Sequence, residues 1–259
     1  MADPASAATA PAADPSWIER QRRFYDTRPH AHLRYAPDSR YAVNLVQHLV
    51  EAAGLPKGAR ILEVGCGAGR FTIPLLERLD GEVVGFDLSA SLLEELRQAL
   101  SRRDRAAAGR LRVVAGDVYR MEAADVGGGF DAIVGFFVLH HLPDIAGALA
   151  GLRRLLRPGG RMVFIEPNRR NPLFLLQVLC CPDMSWSEER GMFTLGRRRL
   201  REAFRAAGGL CEPSIGTFGW FPPQILDRWA WALRLEERLE RVPLLRPVLP
   251  FRLIRSQAA

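Results

Sequence analysis

Lysine is almost missing from this chain: Lys57 is the only one among 36 basic residues, and arginine supplies the rest of a net charge of +7. Such a charge admits an anionic partner. Abundant Ala and Arg fit a GC-rich genome, however, and no nucleic-acid-binding motif accompanies the charge, so no nucleic-acid partner is expected. Cysteine is scarce too. Cys66, Cys180, Cys181 and Cys211 form no CxxC pair, and adjacent thiols are poor geometry for a shared metal. Reduced cysteines in a cytoplasmic protein without a metal are the expectation. No apolar run approaches the roughly 20 residues that cross a bilayer; Pro172 to Cys181 is about half that. The opening "MADPASAATAPAADPS" has neither the basic start nor the apolar core of a secretory signal, and its Ala/Pro/Ser composition reads as a disordered tail over residues 1–16. No repeat of fixed period is present.

What is present is an ordinary globular composition, 48% hydrophobic and 25% charged over 259 residues, enough for one large domain. A short helix is predicted from Trp17 to Tyr25, and an amphipathic one from Arg40 to Ala53, stopped by Gly54. Then continuous apolar strands alternate with helices. The strands are "RILEVG", "EVVGFD", "LRVVAGD", "FDAIVGFFV" and "PGGRMVFIEP". Buried strands of this kind, each followed by a helix, predict an α/β fold with a doubly wound, mostly parallel sheet and helices on both faces. Past Pro167 the pattern loosens into a predicted helix, a long loop and the amphipathic helix "LGRRRLREAFRAAGG". The predicted organisation is a helical lid over residues 17–54, a ligand-binding core over 55–167, and a C-terminal part of the same domain over 168–259.

Ligands of such sheets sit at the carboxyl ends of the strands, where strand order reverses. The first strand-to-helix turn reads Glu63-Val-Gly65-Cys-Gly67-Ala-Gly69. The third glycine of a dinucleotide GxGxxG turn should fall at position 70 or 72, which are Arg70 and Thr72. No GK[ST] follows, so a P-loop is excluded as well. Glu63 would repel a pyrophosphate and suits a cationic group. Asp87, closing the second strand, can accept from ribose hydroxyls, and Asp117, closing the third, from an adenine amine. A ligand with an adenosine, a cationic end and no phosphate is the result.

The segments "EVGCGAG" (63–69), "VVGFDLS" (83–89), "AGDVY" (115–119), "FDAIVGFFVLHHL" (130–142) and "RPGGRMVFIEP" (157–167) together closely resemble the class I S-adenosylmethionine-dependent methyltransferases. That resemblance covers about Ala42 to Cys211. It implies a Rossmann-like seven-stranded sheet whose last strand is antiparallel, so the chain's end must supply two strands, near "CEPSIGT" and "PFRLIR". It also implies S-adenosylmethionine as cofactor. Glu63 would support its ammonium, while Gly65, Cys66 and Gly67 would lie beside its methionine part. Asp87 would hold the ribose, Gly116, Asp117 and Val118 the adenine edge, with Phe86, Leu88 and Val118 around the ring and Phe136 nearby. For any one of these positions a plainer reading stands beside the functional one: the glycines as turn residues, and Asp87 as the N-cap of the next helix.

Methyl transfer from a sulfonium is an in-line displacement in which the protein chiefly positions the acceptor. A hydroxyl acceptor gains from a general base, and His140, His141 and Glu166 are the candidates; the histidines are otherwise loop or Asp144 supports. Tyr25 and Tyr35 of the lid, with Trp220, Phe221 and Trp229, are candidate acceptor contacts, otherwise packing aromatics. "NRRNPLFLLQVLCC", "SWSEERGMF" and "GWFPPQILDRW" are rich in aromatic and aliphatic residues, so an apolar or aromatic small-molecule acceptor in secondary metabolism is expected. A lipid or quinone-like acceptor at a membrane surface is the alternative, because "LDRWAWALRLEERLERVPLLRPVLPFRLIR" has interfacial composition. Its prolines, and Glu236, Glu237 and Glu240 diluting the basic face, count against it. A non-catalytic cofactor-binding module and a dinucleotide oxidoreductase are the other classes. A DNA amino-methylase is set aside, since "GFFVLHHL" stands where its proline-aromatic tetrapeptide would be.

Overall fold

The computed structural model describes residues 15–27, 34–36, 39–172 and 191–259. Segments 1–14 and 173–190 lie outside it, and with them most of the predicted tail, Cys180, Cys181 and much of the predicted acceptor segments.

Helix α1 (Pro15–Thr27) precedes α2 (Arg40–Ala53). The second shows how local sequence sets an element. Ser39 caps its start by accepting from the Ala42 amide, and Gly54 ends it at φ 53° in the left-handed region. Between them Leu45, Val46 and Leu49 fall on one face and are fully buried, each worth roughly 1.5–3 kcal/mol. Strands and helices then alternate: β1 (Ile61–Val64), α3 (Thr72–Arg78), β2 (Val83–Asp87), α4 (Ala90–Arg103), α5 (Arg105–Ala108), β3 (Leu111–Ala115), α6 (Ala123–Val126), β4 (Phe130–Phe136), α7 (Ile145–Arg153) and β5 (Leu156–Pro167). The chain's end adds β6 (Ser214–Phe218) and β7 (Phe251–Gln257), the two strands expected near "CEPSIGT" and "PFRLIR".

The sheet order is β3-β2-β1-β4-β5-β7-β6, so strand order reverses between β1 and β4. The first five strands are parallel, and β7 runs antiparallel between β5 and β6. Period-two alternation splits the sheet's side chains between two cores. Ile61, Val134, Val163 and Ile165 join α2, α3 and α4 on one face. Leu62, Val64, Met162 and Phe164 meet α7 and the helix Arg197–Ala207 on the other. The arginine-rich outer side of Arg197–Ala207 is exposed.

The segment 17–54, expected as one lid, divides. Tyr41, Ala42, Leu45, Val46 and Leu49 make α2 an integral layer of the core, and only α1 lies outside that layer. Among the described residues no helix is long and apolar enough to cross a membrane.

Candidate functional site

The carboxyl ends of β1 and β4 flank the reversal point. After β1 the chain must turn sharply. Gly65 has φ 74°, and a Cβ on it would come within 2.8 Å of the Val138 side chain from the turn after β4, so both backbone and space demand glycine. At Gly67 the backbone again has positive φ, but the space where a Cβ would stand is open. The turn therefore leaves an uncluttered backbone cradle at the strand ends.

Asp87 holds the cradle. Its Oδ2 accepts from the Gly67 amide at 2.8 Å and its Oδ1 from the Ser89 amide at 2.9 Å. The N-cap of α4 is Ser89, whose hydroxyl accepts from the Leu92 amide, so Asp87 is not the cap. Burial raises the Asp87 carboxyl above its ordinary range, and the amides of Ser89 and Gly67 oppose that rise. Glu63 is 1% exposed, and its Oε2 has no hydrogen-bond partner among the described residues. Burial pushes its carboxyl up to about 8; Thr72 offsets part of this, and Asp87 adds to it. A buried carboxyl with one unsatisfied oxygen beside an open backbone cradle is a site where a ligand ammonium would draw off the proton and pair with the carboxylate left behind.

The other expected ligand contacts separate into surface and core. Leu88, Asp117 and Val118 are partly exposed at the strand ends, and Asp117 Oδ1 accepts from the Tyr119 amide at 3.0 Å. Gly116 donates to the Asp87 carbonyl at 2.9 Å and lies so close to the Phe86 ring that a Cβ would stand 2.9 Å from it. Phe86 is itself only 3% exposed, which places it in the core beneath Gly116 rather than on a ligand-facing wall. Cys66 is likewise buried, its sulfur 2.9 Å from where a Cβ on Gly85 would stand, and burial raises its thiol well above the ordinary range. Only its backbone belongs to the loop.

The "LHHL" segment is a 3-10 turn, Leu139–His141. Glu166, at the end of β5, anchors it. Oε1 accepts from the amides of Val138 (2.9 Å) and Leu139 (2.7 Å), and Oε2 lies 2.7 Å from Nδ1 of His140. Both side chains of the His140–Glu166 pair are buried. His141 is partly exposed, with Nε2 3.4 Å from the Tyr25 hydroxyl on α1. Helix α1 is held at its other side by Asp26, which accepts from Ser89 (2.5 Å) and Ser91 (2.9 Å) at the start of α4. It thus spans from the first turn of α4 to the histidine turn. Asp144 is supported by the Tyr119 hydroxyl, not by a histidine, and caps α7 through the Gly147 amide.

Arg34 bridges Gly69 and so brings the neighbouring Tyr35 backbone to the glycine turn, but the Tyr35 ring points elsewhere. It packs against the core, with Arg103 at the far end of α4 lying 6.0 Å from its ring. Trp220 and Phe221 are partly exposed, and their amides both donate to Glu236 Oε2, at 2.7 and 2.8 Å. Trp229 is 43% exposed and is not a core residue.

Four aromatics that the sequence left unmarked, Phe71, Phe137, Phe218 and Phe251, converge with Phe136. Phe71 stacks on Phe136 at 4.4 Å and meets Phe137 at 5.8 Å; Phe137 meets Phe251 at 5.7 Å; Phe251 meets Phe218 at 5.5 Å. Phe137 has φ 56°, and it is the only non-glycine with positive φ among the described residues. That conformation costs a bulky residue about 1–2 kcal/mol. It turns the chain from β4 into the histidine turn. The only sequence signal was the run of apolar residues in "GFFV".

Known proteins place this geometry. A family profile described as "Methyltransferase domain" matches residues 62–162. A ubiquinone biosynthesis O-methyltransferase of Mesorhizobium japonicum is 31% identical over 175 residues, covering 67% of this chain and 68% of that protein. The chain belongs to the class I S-adenosylmethionine-dependent methyltransferases. A demethylmenaquinone methyltransferase of Staphylococcus epidermidis is 31% identical over 131 residues, 49% of this chain and 52% of its own, so the chain spans about half the length of that relative. Among solved structures, a geranyl diphosphate methyltransferase in complex with GPP and sinefungin aligns over 94% of this methyltransferase-family chain and 100% of its own. Its TM-score is 0.61 and its identity 18%, a likeness of fold. The residues present fit the family's cofactor: Glu63 has a buried oxygen without a partner that an ammonium would satisfy, Gly67 leaves an open backbone, and Asp87 stands at the end of β2 beside them.

Proposed function

We propose that this protein transfers a methyl group from S-adenosylmethionine to a hydroxyl of an apolar, quinone-like aromatic acceptor. The observation that carries the reading is the aromatic row Phe71, Phe137 and Phe251, which begins beside the glycine turn. Phe71 and Phe251 are buried and back the partly exposed Phe137, whose flat apolar ring, with few hydrogen-bonding groups around it, favours an aromatic ring over a sugar or a peptide. The two relatives named for quinone pathways support this acceptor class above a general secondary metabolite.

When bound, the cofactor supplies an activated methyl on sulfur. The chain's residues do the remainder. Glu63 and the backbone at Gly67 hold the polar end, and Asp87 the ribose. Glu166 fixes the turn that carries both histidines, through two amides and His140 Nδ1. His141, partly exposed and next to Tyr25, is the base that takes the acceptor's hydroxyl proton. Helix α1 covers the reacting centre and excludes water from it.

The test is an assay of the full chain with S-adenosylmethionine and either a short-tailed hydroxyquinol or a soluble non-quinonoid catechol, with products identified by mass and proton NMR. A methoxy product from the quinol is expected. S-adenosylhomocysteine binding with no methylation of the quinol would sink the acceptor assignment. With the catechol unmethylated as well, the non-catalytic binding module would be left.

A further inference from the structure

The segment Arg228–Arg246 carries an exposed face that the methyl-transfer site does not use. Trp229 is 43% exposed, Trp231 56% and Leu244 88%. Leu235 and Val242 add to the same stretch at 37% and 39%. Large apolar side chains at this density are not ordinary surface scatter.

The charges of this segment are sorted by the fold. It holds five arginines, at 228, 234, 238, 241 and 246, and all five are exposed. Its acids point mostly inward. Asp227, immediately before it, accepts from the Tyr41 amide at 2.9 Å and from Ser39. Glu236 is 2% exposed and is occupied by Asn44 and by the amides of Trp220 and Phe221. Glu240 accepts from the Gly219 amide at 2.7 Å. Glu237 is left as the one exposed acid. The dilution of basic charge expected from Glu236, Glu237 and Glu240 is therefore confined to one residue. Arg228 lies 5.3 Å over the Trp229 ring, pairing cation with apolar body as interfacial residues do.

We infer that the Arg228–Arg246 face docks on an anionic phospholipid surface, with the tryptophans and Leu244 entering the headgroup boundary and the arginines among the phosphates. Charge complementarity selects this occupant. A purely apolar partner would leave five guanidinium groups to desolvate, whereas a phosphate plane pairs with them. Trp231 meets Phe221 edge-on at 6.2 Å, and Phe221 packs on the cluster that contains Phe218, Phe251 and Phe71. Apolar side chains thus run from the docking face to the aromatic row of the site. Only the cargo of that route rests on the acceptor reading above; the docking itself does not require turnover.

The experiment is co-sedimentation of the full chain with vesicles of phosphatidylcholine alone and of phosphatidylcholine with phosphatidylglycerol, at low and high salt. Binding to the anionic vesicles only, weakened by salt, is expected. Arg234→Ser/Arg238→Ser/Arg241→Ser should lower the partition coefficient roughly tenfold or more. Trp229→Ser/Leu244→Ser should lower it as well, with circular dichroism and S-adenosylhomocysteine affinity unchanged in both variants. Wild type remaining in the supernatant overturns the inference, as does arginine-independent binding. Concentration-dependent dimerisation, lost in Trp229→Ser/Leu244→Ser and unaccompanied by vesicle binding, overturns it in favour of a second copy. Methylation of a short-tailed quinol without vesicle binding would defeat docking and leave the proposed function standing. Vesicle binding without methylation would do the reverse.

Discussion

Nδ1 of His140 lies 2.7 Å from Oε2 of Glu166, both side chains buried, while the neighbouring His141 turns outward to Tyr25. Two adjacent histidines thus have different surroundings, and their substitutions should have different consequences. His140→Ala leaves Glu166 without that partner and should cost about 3 kcal/mol of stability, read as a clear fall in melting temperature. His141→Ala should leave the melting temperature and S-adenosylhomocysteine affinity nearly unchanged, and lower kcat on a hydroxyl acceptor by about 100-fold, the lower range of general-base contributions. Near wild-type kcat for His141→Ala would remove the base.

Glu63 predicts a pH signature. Its folded carboxyl sits at about 8 against an ordinary value of 4.5. Between those values the unfolded chain has lost a proton that the folded chain keeps. The contribution to stability is full below the lower value and is lost as pH rises through the upper one. Thermal melts of the ligand-free protein from about pH 5 to about pH 9 should fall steadily, and Glu63→Gln should flatten that slope. A ligand ammonium beside Glu63 favours the carboxylate, so S-adenosylhomocysteine binding near pH 7 should release a proton. Calorimetry in buffers of different ionisation enthalpy measures this. Release unchanged in Glu63→Gln would place the proton elsewhere.

Asp87 braces the glycine turn, and the proposed function also gives it the ribose. Asp87→Ala removes two amide acceptors, worth about 1–3 kcal/mol of folding stability. It should also weaken S-adenosylhomocysteine at least about tenfold. NADH should bind neither form. Tight S-adenosylhomocysteine binding by a folded Asp87→Ala protein would exclude Asp87 from the cofactor site.

Phe137 separates backbone from side chain. Both Phe137→Ala and Phe137→Gly delete the ring from the aromatic row, and each should raise the acceptor KM without changing cofactor affinity. Only glycine tolerates φ 56° freely, so the glycine variant should be more stable than the alanine variant by about 1 kcal/mol. Equal denaturation midpoints would show that the turn relaxes.

Helix α1 is fastened by Asp26 to Ser89 and Ser91 and by Tyr25 to His141. As a lid it should gain protease resistance when S-adenosylhomocysteine is added, and Asp26→Ala should lose that gain. Identical cleavage with and without ligand would make α1 a fixed support.

The sequence by itself determined the alternation of strands and helices, the Gly65–Gly69 turn and the carboxylates that close β1 and β2. Each is a local pattern: buried strands read as apolar runs, caps and glycines punctuate them, and an acid at a strand end needs no distant partner to be recognised. Tertiary structure alone decided which side chains meet. Phe251 reaches Phe137 because β7 pairs antiparallel with β5 in the register Pro167↔Phe251, and a one-residue slip would turn every side chain of β7 to the other face. Glu166 meets His140 rather than His141 because the 3-10 turn after β4 directs His140 inward. Phe86 went to the core because Gly116 gives its ring room, and the Tyr35 ring turned toward Arg103 at the far end of α4. Glu236 and Glu240 turned inward because the amides of Gly219, Trp220 and Phe221 needed acceptors there, a demand set by backbone brought from another part of the chain.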